Sequence, residues 1–384
     1  MNGLAFRQFL VKVHSRCNLA CDYCYVYELA DQSWRRQPPV MSTETLTRTA
    51  SRIAEHALAH DLAEVHVVLH GGEPLLAGHG YFRALTDTFR VVAGSSVRLR
   101  FTMQSNGTLL DTAFLDELLA AEVRVGISMD GEANEHDRHR AHRDGRGSSS
   151  AVDQALARLN QPAYRSLFAG LLCVIDPRTD PLRTYTRLLE FDPPEVDFLL
   201  PHGNWTTEPP HLGRPETPYA DWLIALFDRW YDASRQETEI RLFTEIIRLL
   251  LGGASTIESI GLSPVALLVI ETNGELEQSD ALKSTVDGAA RTGLNVFEHE
   301  LDAALTHHGI QARHIGIDAL GPTCRSCRQV QVCGGGLYAH RYRAGAGFAN
   351  PSVYCADLLR LIDHIQARIT ADIGRPAPVR PVPG

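Results

Sequence analysis

Strand-like and helix-like segments alternate along about the first 200 residues of the chain. Short apolar or β-branched runs predict six strands, and amphipathic periodicity predicts the helices that follow them. The predicted strands are 9–13, 65–69, 97–102, 123–128, 166–175 and 196–200. The predicted helices are 41–59, 81–92, 112–121, 149–159, 180–190, 220–230 and 240–251. This alternation indicates a parallel sheet covered by helices, either a barrel or a doubly wound sheet, with ligands at the carboxyl ends of the strands.

Three cysteines, Cys17, Cys21 and Cys24, follow the first predicted strand on one short loop. Their spacing allows the three thiolates to converge on one metal centre. Iron–sulfur clusters normally take four cysteine ligands, so a cluster held by these three leaves one iron open to a small molecule. A structural zinc ion is the alternative, and His14 is near enough in the sequence to supply its fourth ligand.

The spacing Cys-x3-Cys-x-aromatic-Cys, with Tyr23 in the aromatic position, resembles the signature of the radical S-adenosylmethionine (SAM) enzymes. The resemblance implies that Tyr23 is one of the residues that bind the SAM cofactor. The resemblance implies a partial (β/α)6 barrel of the TIM type. It also implies a 4Fe-4S cluster whose open iron chelates the amino and carboxylate groups of SAM. An electron from that cluster then cleaves SAM into methionine and a 5′-deoxyadenosyl radical.

Further matches to this family lie just after the predicted strands. Gly71, Gly72 and Glu73 follow the second strand, and paired glycines allow the backbone to approach a ligand closely. The resemblance implies that this backbone binds the SAM amino group. It also implies SAM ribose and carboxylate contacts from short polar side chains after the next two strands, which are Ser105, Asn106, Ser128 and Asp130. Arg140 ends a His-Asp-x-x-Arg motif and either holds the SAM carboxylate or makes structural ion pairs.

Four cysteines in the C-terminal part form a second set, which comprises Cys324, Cys327, Cys333 and Cys355. Four thiolates suit either a closed zinc site or an iron–sulfur cluster, so spacing alone does not distinguish the two. Beside a radical SAM barrel, the pattern resembles the SPASM domain, which holds an auxiliary 4Fe-4S cluster. The remaining cysteine, Cys173, lies in an apolar run and is expected in the core.

The full SPASM pattern has seven cysteines and two auxiliary clusters, and this chain departs from it. Leu337 stands where one further cysteine is expected, and the segment 270–280 lacks two others. We therefore expect only the outer of the two auxiliary clusters, held by the four C-terminal cysteines. Because its four protein ligands leave no free iron, electron transfer or structural support is its expected role.

Asp280 is the candidate catalytic residue. In related formylglycine-generating maturases, a carboxylate just after the lost cysteine position faces the substrate, and Asp280 occupies that position. The apolar run 265–270 predicts burial nearby, which would raise the pKa of Asp280 toward that of a general base. A solvated turn aspartate beside Glu275 and Glu277 is the alternative.

Three segments, 25–28, 262–265 and 333–355, resemble the FxSxx-COOH type of peptide maturases. The resemblance implies a carbon–carbon cross-link, a three-residue cyclophane, between an aromatic ring and the β-carbon of a residue two positions on. The implied partners are a ribosomally made precursor peptide and a reductant of the flavodoxin or ferredoxin type. Two alternatives are a formylglycine-generating sulfatase-type maturase, which the missing cysteines disfavour, and a zinc-stabilised binding protein without activity.

Composition limits the other function classes. The net charge of −9 argues against a nucleic-acid surface. No apolar stretch is long enough to span a membrane, and the N-terminus lacks the apolar region of a signal peptide, so a cytoplasmic protein is expected.

The chain is predicted to divide into three parts. They are a radical SAM barrel over 1–218, a bridging region over 219–310 and a SPASM-like domain over 311–384. That domain ends in a Pro-rich flexible tail from residue 375. The early first strand leaves leader recognition to a separate protein or to the C-terminal half.

Overall fold

The computed structural model describes residues 4–94, 96–213 and 216–373, and the predicted flexible tail from residue 375 lies outside them. The strands are β1 Gln8–His14, β2 Glu64–Gly71, β3 Arg98–Ser105, β4 Val123–Ser128, β5 Phe168–Val174, β6 Glu195–Leu199, β7 Glu239–Ile240, β8 Leu267–Ile270, β9 Glu275–Glu277 and β10 Arg291–Asn295. The longer helices are α1 Thr43–Ala59, α2 Tyr81–Ala93, α3 Thr112–Ala121, α4 Ala133–His139, α5 Ser149–Leu159, α6 Pro181–Leu189, α7 Pro218–Tyr231 and α8 Arg241–Leu250. The C-terminal part adds the short helices α9 Asp302–Leu305, α10 His308–Ala312, α11 Pro322–Arg325 and α12 Val330–Cys333, and the long helix α13 Cys355–Ile373.

Strands β1 to β6 are parallel and lie side by side in chain order. The sheet continues past β6 to β7 and past β1 to β8, so the six strands form an open, partial barrel rather than a closed one. The predicted α/β barrel fold is therefore confirmed. Because all six strands run the same way, the loops after them meet at one edge of the sheet.

The bridging region is joined directly to the barrel sheet. Strand β8 pairs in parallel with β1, and β9 and β10 continue antiparallel from it. The turn between β8 and β9 brings the segment around Asp280 to the end of β1, beside the cysteine loop. The helices of this region pack differently, since α7 and α8 both contact the long C-terminal helix α13.

The core follows the predicted pattern. Alternate residues of β2 are buried, and one face of each longer helix of the barrel packs on the sheet. Cys173 is 1% exposed and belongs to this core, as expected. Helix α4 was not predicted, because its sequence, Ala-Asn-Glu-His-Asp-Arg-His, has no apolar periodicity. Among the described residues, no helix combines the length and apolar character that crossing a bilayer requires.

Candidate active site

A cavity of about 230 Å³ opens at the carboxyl ends of the barrel strands. The three cysteines of the N-terminal loop line it. Seven of the nine residues predicted to contact SAM line it as well, namely Tyr23, Gly71, Gly72, Ser105, Asn106, Ser128 and Arg140. The other two, Glu73 and Asp130, lie behind its wall. The structure thus gathers residues from β2, β3, β4 and the loops after β1 and α4 around one space.

The thiols of Cys17, Cys21 and Cys24 are half-buried in the cavity wall. Burial raises the pKa of Cys17 to about 12 and that of Cys21 to about 11, with smaller effects from nearby acidic groups. Burial also raises the pKa of Cys24. The thiols are therefore protonated without a metal, and iron binding would release protons. The donor set, three soft sulfur ligands on one loop, fits an iron–sulfur cluster.

Glu73 ties the cysteine side of the cavity to the end of β3. Its carboxylate is fully buried and accepts hydrogen bonds from the Ser105 hydroxyl at 2.8 Å and the Asn106 backbone N–H at 2.7 Å. A third bond comes from the Leu75 backbone N–H at 3.1 Å. The Asn106 amide in turn donates to the Asn18 side chain at 2.9 Å, within the cysteine loop. Glu73 therefore acts through its side chain on the framework behind the cavity wall.

The paired glycines allow the cysteine loop to approach β2 closely. Gly71 has φ of +150°, and a Cβ there would lie 2.0 Å from the His14 carbonyl oxygen. A Cβ on Gly72 would lie 1.9 Å from the Tyr27 hydroxyl and 2.4 Å from the Arg16 carbonyl oxygen. The sequence predicted a close approach of this backbone to a ligand. The described structure shows that the loop itself makes the close approach.

Tyr23, Asp130 and Arg140 form a buried polar cluster beside Cys21. The Tyr23 hydroxyl donates to Asp130 and accepts from the Arg140 guanidinium at 2.7 Å. Asp130 also accepts from the Val174 backbone N–H at 3.0 Å. The Nε atom of Arg140 is buried without a hydrogen-bond partner in the described structure, and Arg140 lines the cavity. A guanidinium group at a cavity wall suits an anionic ligand group such as a carboxylate.

Asp280 lies beneath this cavity, in a setting that differs from the one expected. It is buried, and its carboxylate contacts the Lys12 ammonium at 2.5 Å and lies 3.7 Å from Nδ1 of His70. Burial acts to raise the pKa of Asp280, but Lys12, Lys283 and His70 outweigh it and lower the pKa to about 2. The expectation of a raised pKa is therefore wrong, because the sequence did not reveal the buried cations. The catalytic role of Asp280 stays a prediction.

A second buried lysine, Lys283, completes this network. Its ammonium lies 2.5 Å from Glu271 and 2.8 Å from Glu277. Burial and the nearby charge of Glu271 raise the pKa of Glu277 to about 8, so this carboxyl is largely protonated at neutral pH. Two lysines then balance two carboxylates, which removes the net charge that burial would otherwise penalise.

Four aromatic or imidazole side chains line the same cavity and were not among the predicted site residues. They are Tyr25, Tyr27, His70 and His202, and the Tyr25 and His202 rings lie 4.5 Å apart. Their positions were the only signal in the sequence, since His70 is the second-last residue of β2 and His202 lies three residues after the last residue of β6. A second cavity of about 470 Å³ adjoins the first and shares four wall residues with it, which are Tyr23, Val174, Pro201 and His202.

The four C-terminal cysteines lie near one another, at the ends of short helices and the start of α13. Cys324 and Cys327 help to raise the pKa of Cys355, and Cys355 and Cys324 help to raise that of Cys333, although burial is the larger cause for both thiols. All eight cysteines lie within the described residues, and no disulfide joins any of them there. Among the described residues, no three cysteine sulfurs lie within 4.8 Å of one another. A single zinc ion with four Zn–S bonds of about 2.3 Å would need sulfurs roughly 3.8 Å apart, so both cysteine sets fit a larger cluster better.

The zinc alternative for the N-terminal loop finds no support in His14. Its Nδ1 lies 3.1 Å from the Arg16 backbone N–H, which donates to it, and His14 is not among the residues lining the cavity.

The position of the missing inner auxiliary cluster, around Ser279, contains polar side chains instead of cysteines. Ser279 donates to Glu258 at 3.3 Å, and Glu258 pairs with the buried Arg313 at 3.0 Å.

Comparison with known sequences gives the family of the barrel. The family model described as the radical SAM superfamily matches residues 11–179. A cysteine-type anaerobic sulfatase-maturating enzyme from Clostridium perfringens is 26% identical over 273 residues, which cover 69% of this chain and 72% of that protein. A serine-type anaerobic sulfatase-maturating enzyme from Klebsiella pneumoniae is 24% identical over 353 residues, covering 88% of this chain and 83% of that protein.

Solved structures extend the similarity in fold to nearly the whole chain. Native anSMEcpe with bound AdoMet and Cp18Cys peptide has a TM-score of 0.80 and 22% identity, covering 95% of this chain and 99% of that one. Streptococcus suis SuiB bound to its precursor peptide SuiA has a TM-score of 0.59 and 13% identity, with 91% and 76% coverage. With the matching cysteine loop and cavity, these findings indicate an enzyme whose residues 11–179 match the radical SAM superfamily and whose sequence is similar to those of anaerobic sulfatase-maturating enzymes.

Proposed function

We propose that this enzyme is a maturase that oxidises the β-carbon of a Cys or Ser residue in a peptide or protein substrate to give formylglycine. The relatives whose names describe sulfatase maturation cover up to 93% of the chain. They support this product more directly than the cyclophane, which the sequence favoured. The carrying observation is the pair of adjoining cavities, since the cysteine-lined one shares four wall residues with a second one. The second one suits an extended peptide segment that ends beside the cofactor.

The cofactor residues follow from the cavity wall. Cys17, Cys21 and Cys24 would hold the SAM-binding cluster, and the Arg140 guanidinium would face the SAM carboxylate. When bound, the cluster and SAM would supply the radical chemistry that removes a hydrogen atom from the substrate. The four C-terminal cysteines would hold the auxiliary cluster. The protein positions the β-carbon and keeps water out of a cavity bordered by Leu172, Leu199 and Leu200.

The Glu73→Gln variant tests the SAM-binding framework. Because the Glu73 carboxylate accepts three hydrogen bonds, an amide at this position turns an N–H toward one of the donors and leaves it unpaired. A buried unpaired donor costs about 1–3 kcal/mol, so we expect SAM affinity to fall by roughly 5- to 150-fold. Anaerobic equilibrium dialysis of the holoenzyme with SAM measures this affinity.

Glu117→Gln is the matched control. Glu117 also accepts from three backbone N–H groups, those of Gly80, Phe82 and Arg83, but it caps α2 away from the cavity. We expect Glu117→Gln to lower stability without changing SAM affinity. Equal SAM affinities for the Glu73 variant and the parent enzyme would contradict the proposed framework.

A specific observation favours a second product, the three-residue cyclophane. Ser279 and Leu337 occupy positions where the two-cluster pattern has cysteines, and the described structure fills the Ser279 side with the Glu258–Arg313 ion pair. With one auxiliary cluster in place of two, this chain would differ from proteins that have the full seven-cysteine SPASM pattern. Both products begin with removal of a hydrogen from a β-carbon, so the two proposals share one active site.

Tandem mass spectrometry of two peptides decides between the products. One peptide carries a Ser or Cys in a sulfatase-type sequence, and the other carries an aromatic residue two positions before its target. Formylglycine formed from Ser lacks two hydrogens and yields an aldehyde that a hydrazide reagent captures. A cyclophane also lacks two hydrogens, but it captures no hydrazide and blocks backbone fragmentation within the three linked residues. SAM cleavage that leaves both peptides unmodified would overturn both products.

A further inference from the structure

His70 stands between the cavity and the buried carboxylate of Asp280. It is the last residue before the glycine pair at the end of β2, and its ring lines the cavity. Its side chain is 21% exposed, whereas its Nδ1 atom is buried and has no hydrogen-bond partner in the described structure. That Nδ1 atom lies 3.7 Å from the Asp280 carboxylate. The exposed Nε2 edge of the ring is therefore left for the cavity.

This arrangement selects one tautomer of the imidazole. A carboxylate facing Nδ1 favours the ring that carries its proton there, because the proton can then be donated to Asp280. The Nε2 lone pair is thereby free to face a ligand in the cavity. Catalytic hydrogen bonds are often long without substrate, so a contact of 3.7 Å needs a shift of roughly 0.5–1 Å to become a hydrogen bond.

The charges around His70 keep it neutral and ready to accept a proton. Burial is the main cause that lowers its pKa, to about 4, and Lys12 and Lys283 lower it further. Asp280 and Glu271 act in the opposite direction. A neutral imidazole can take a proton, and the imidazolium that results would be stabilised by the Asp280 carboxylate. Asp280 itself, with a pKa of about 2 and a lysine partner, is a much weaker base.

His202 lines the same cavity but lacks this arrangement. Its ring packs on Tyr25 with 4.5 Å between the ring centres, and no ion pair to a carboxylate is found for it within the residues that the structure describes. It follows the last barrel strand on a loop, whereas His70 is fixed by the β2 ladder. The charge of Asp280 acts on the pKa of both cavity histidines, but within the described residues only His70 has a ring nitrogen within 4.0 Å of that carboxylate.

We propose that His70 is the catalytic residue that accepts the proton from the substrate and that Asp280 is its positioning residue. The proposal rests on the proposed peptide oxidation. That oxidation removes two hydrogens, one of which leaves as a hydrogen atom from the β-carbon through SAM chemistry. The X–H bond of the Ser or Cys side chain then breaks, its proton moves to Nε2 of His70, and one electron leaves to an iron–sulfur cluster. A carbon–heteroatom double bond forms.

Diethyl pyrocarbonate labelling of the holoenzyme tests the position of His70 without using turnover. The reagent acylates accessible neutral imidazole nitrogens, and peptide mapping by mass spectrometry identifies the labelled residue. We expect label on His70, with loss of most of it when SAM and substrate peptide are both bound. Labelling should spare His340, which is 3% exposed. Absence of label on His70, or labelling unchanged by the peptide, would overturn the proposal.

His70→Gln tests the proton step, and His66→Gln is its control. His66 lies four residues earlier on β2, on the same face, and burial lowers its pKa to about 4 as well, but it lines a different cavity. We expect His70→Gln to lower product formation by about 100-fold or more. Hydrogen abstraction should persist, and deuterium from a β-deuterated peptide should still appear in deoxyadenosine. His66→Gln should form product at the parent rate.

The outcomes separate the two proposals. If the parent enzyme forms product and His70→Gln forms it at the same rate, His70 is not the proton acceptor and the peptide oxidation stands. If the parent enzyme cleaves SAM but forms no product, the peptide oxidation fails and the role of His70 fails with it. Loss of deuterium transfer together with product would assign His70 a structural role and overturn the proton step. Because labelling uses the parent enzyme, it remains decisive where a variant folds poorly.

Discussion

Replacement of Cys17, Cys21 or Cys24 by alanine is expected to reduce SAM cleavage to background. Each thiol lines the cavity, and a cluster held by three cysteines has no spare ligand to replace a lost one. Iron content should fall from about eight to about four atoms per chain, because the C-terminal cluster keeps its four ligands. Deoxyadenosine formation under reducing, anaerobic conditions measures the activity, and iron and sulfide analysis measures the clusters.

Two other cysteine variants serve as controls for this result. Cys173→Ala removes a buried thiol that belongs to the core, so SAM cleavage and iron content should match those of the parent enzyme. Cys333→Ala should instead lower iron by about half while SAM cleavage persists, with product formation or folding lost first. Normal SAM cleavage by Cys21→Ala, or a stoichiometric zinc content without sulfide in the parent enzyme, would contradict the proposed cluster site.

Periodicity and strand-end motifs were enough to predict the barrel and most of its cavity. The alternation predicted all six parallel strands to within a few residues, because buried strands leave an apolar signal that survives without neighbours. Residues such as Ser105 and Ser128 were placed correctly at one edge, since parallel strands bring their carboxyl ends together. Helix α4 was not predicted because tertiary contacts, rather than an apolar stripe in its sequence, stabilise it.

The buried charges around Asp280 could not be predicted from the sequence, for a different reason. Lys12 lies inside the first strand, in a run that predicted an entirely apolar environment, and its partner Asp280 is 268 positions away in the chain. A pKa depends on which charges share a buried space, and that depends on the pairing of β1 with β8. The low pKa of Asp280 and the position of His70 therefore emerge only from the folded structure.

Lys283→Met is expected to destabilise the enzyme strongly. Lys283 is 2% exposed and is the cation held between Glu271 and Glu277, whose carboxylates lie within 4.8 Å of each other. Removing one partner of a buried ion pair costs about 3–5 kcal/mol, because the remaining charges are left uncompensated. Urea unfolding of the anaerobic holoenzyme should show a correspondingly lower free energy of unfolding. Exposed Arg98 pairs with Glu64 on the surface, and Arg98→Met should change stability by less than about 1 kcal/mol.

The pH dependence of this loss has a definite sign. Without the lysine, the pKa of Glu277 in the folded state rises further above the unfolded value, so folding favours its protonated form. Its contribution to stability is then fully present below the unfolded pKa and decreases as pH rises through the folded pKa. The deficit of Lys283→Met should therefore grow between pH 6 and pH 8.5. Adding Glu277→Gln should recover part of it, because Glu277, with a pKa of about 8, is already largely neutral in the parent enzyme at pH 7. A deficit that shrinks as pH rises, or a double variant less stable than Lys283→Met alone, would show that Lys283 does not balance these carboxylates.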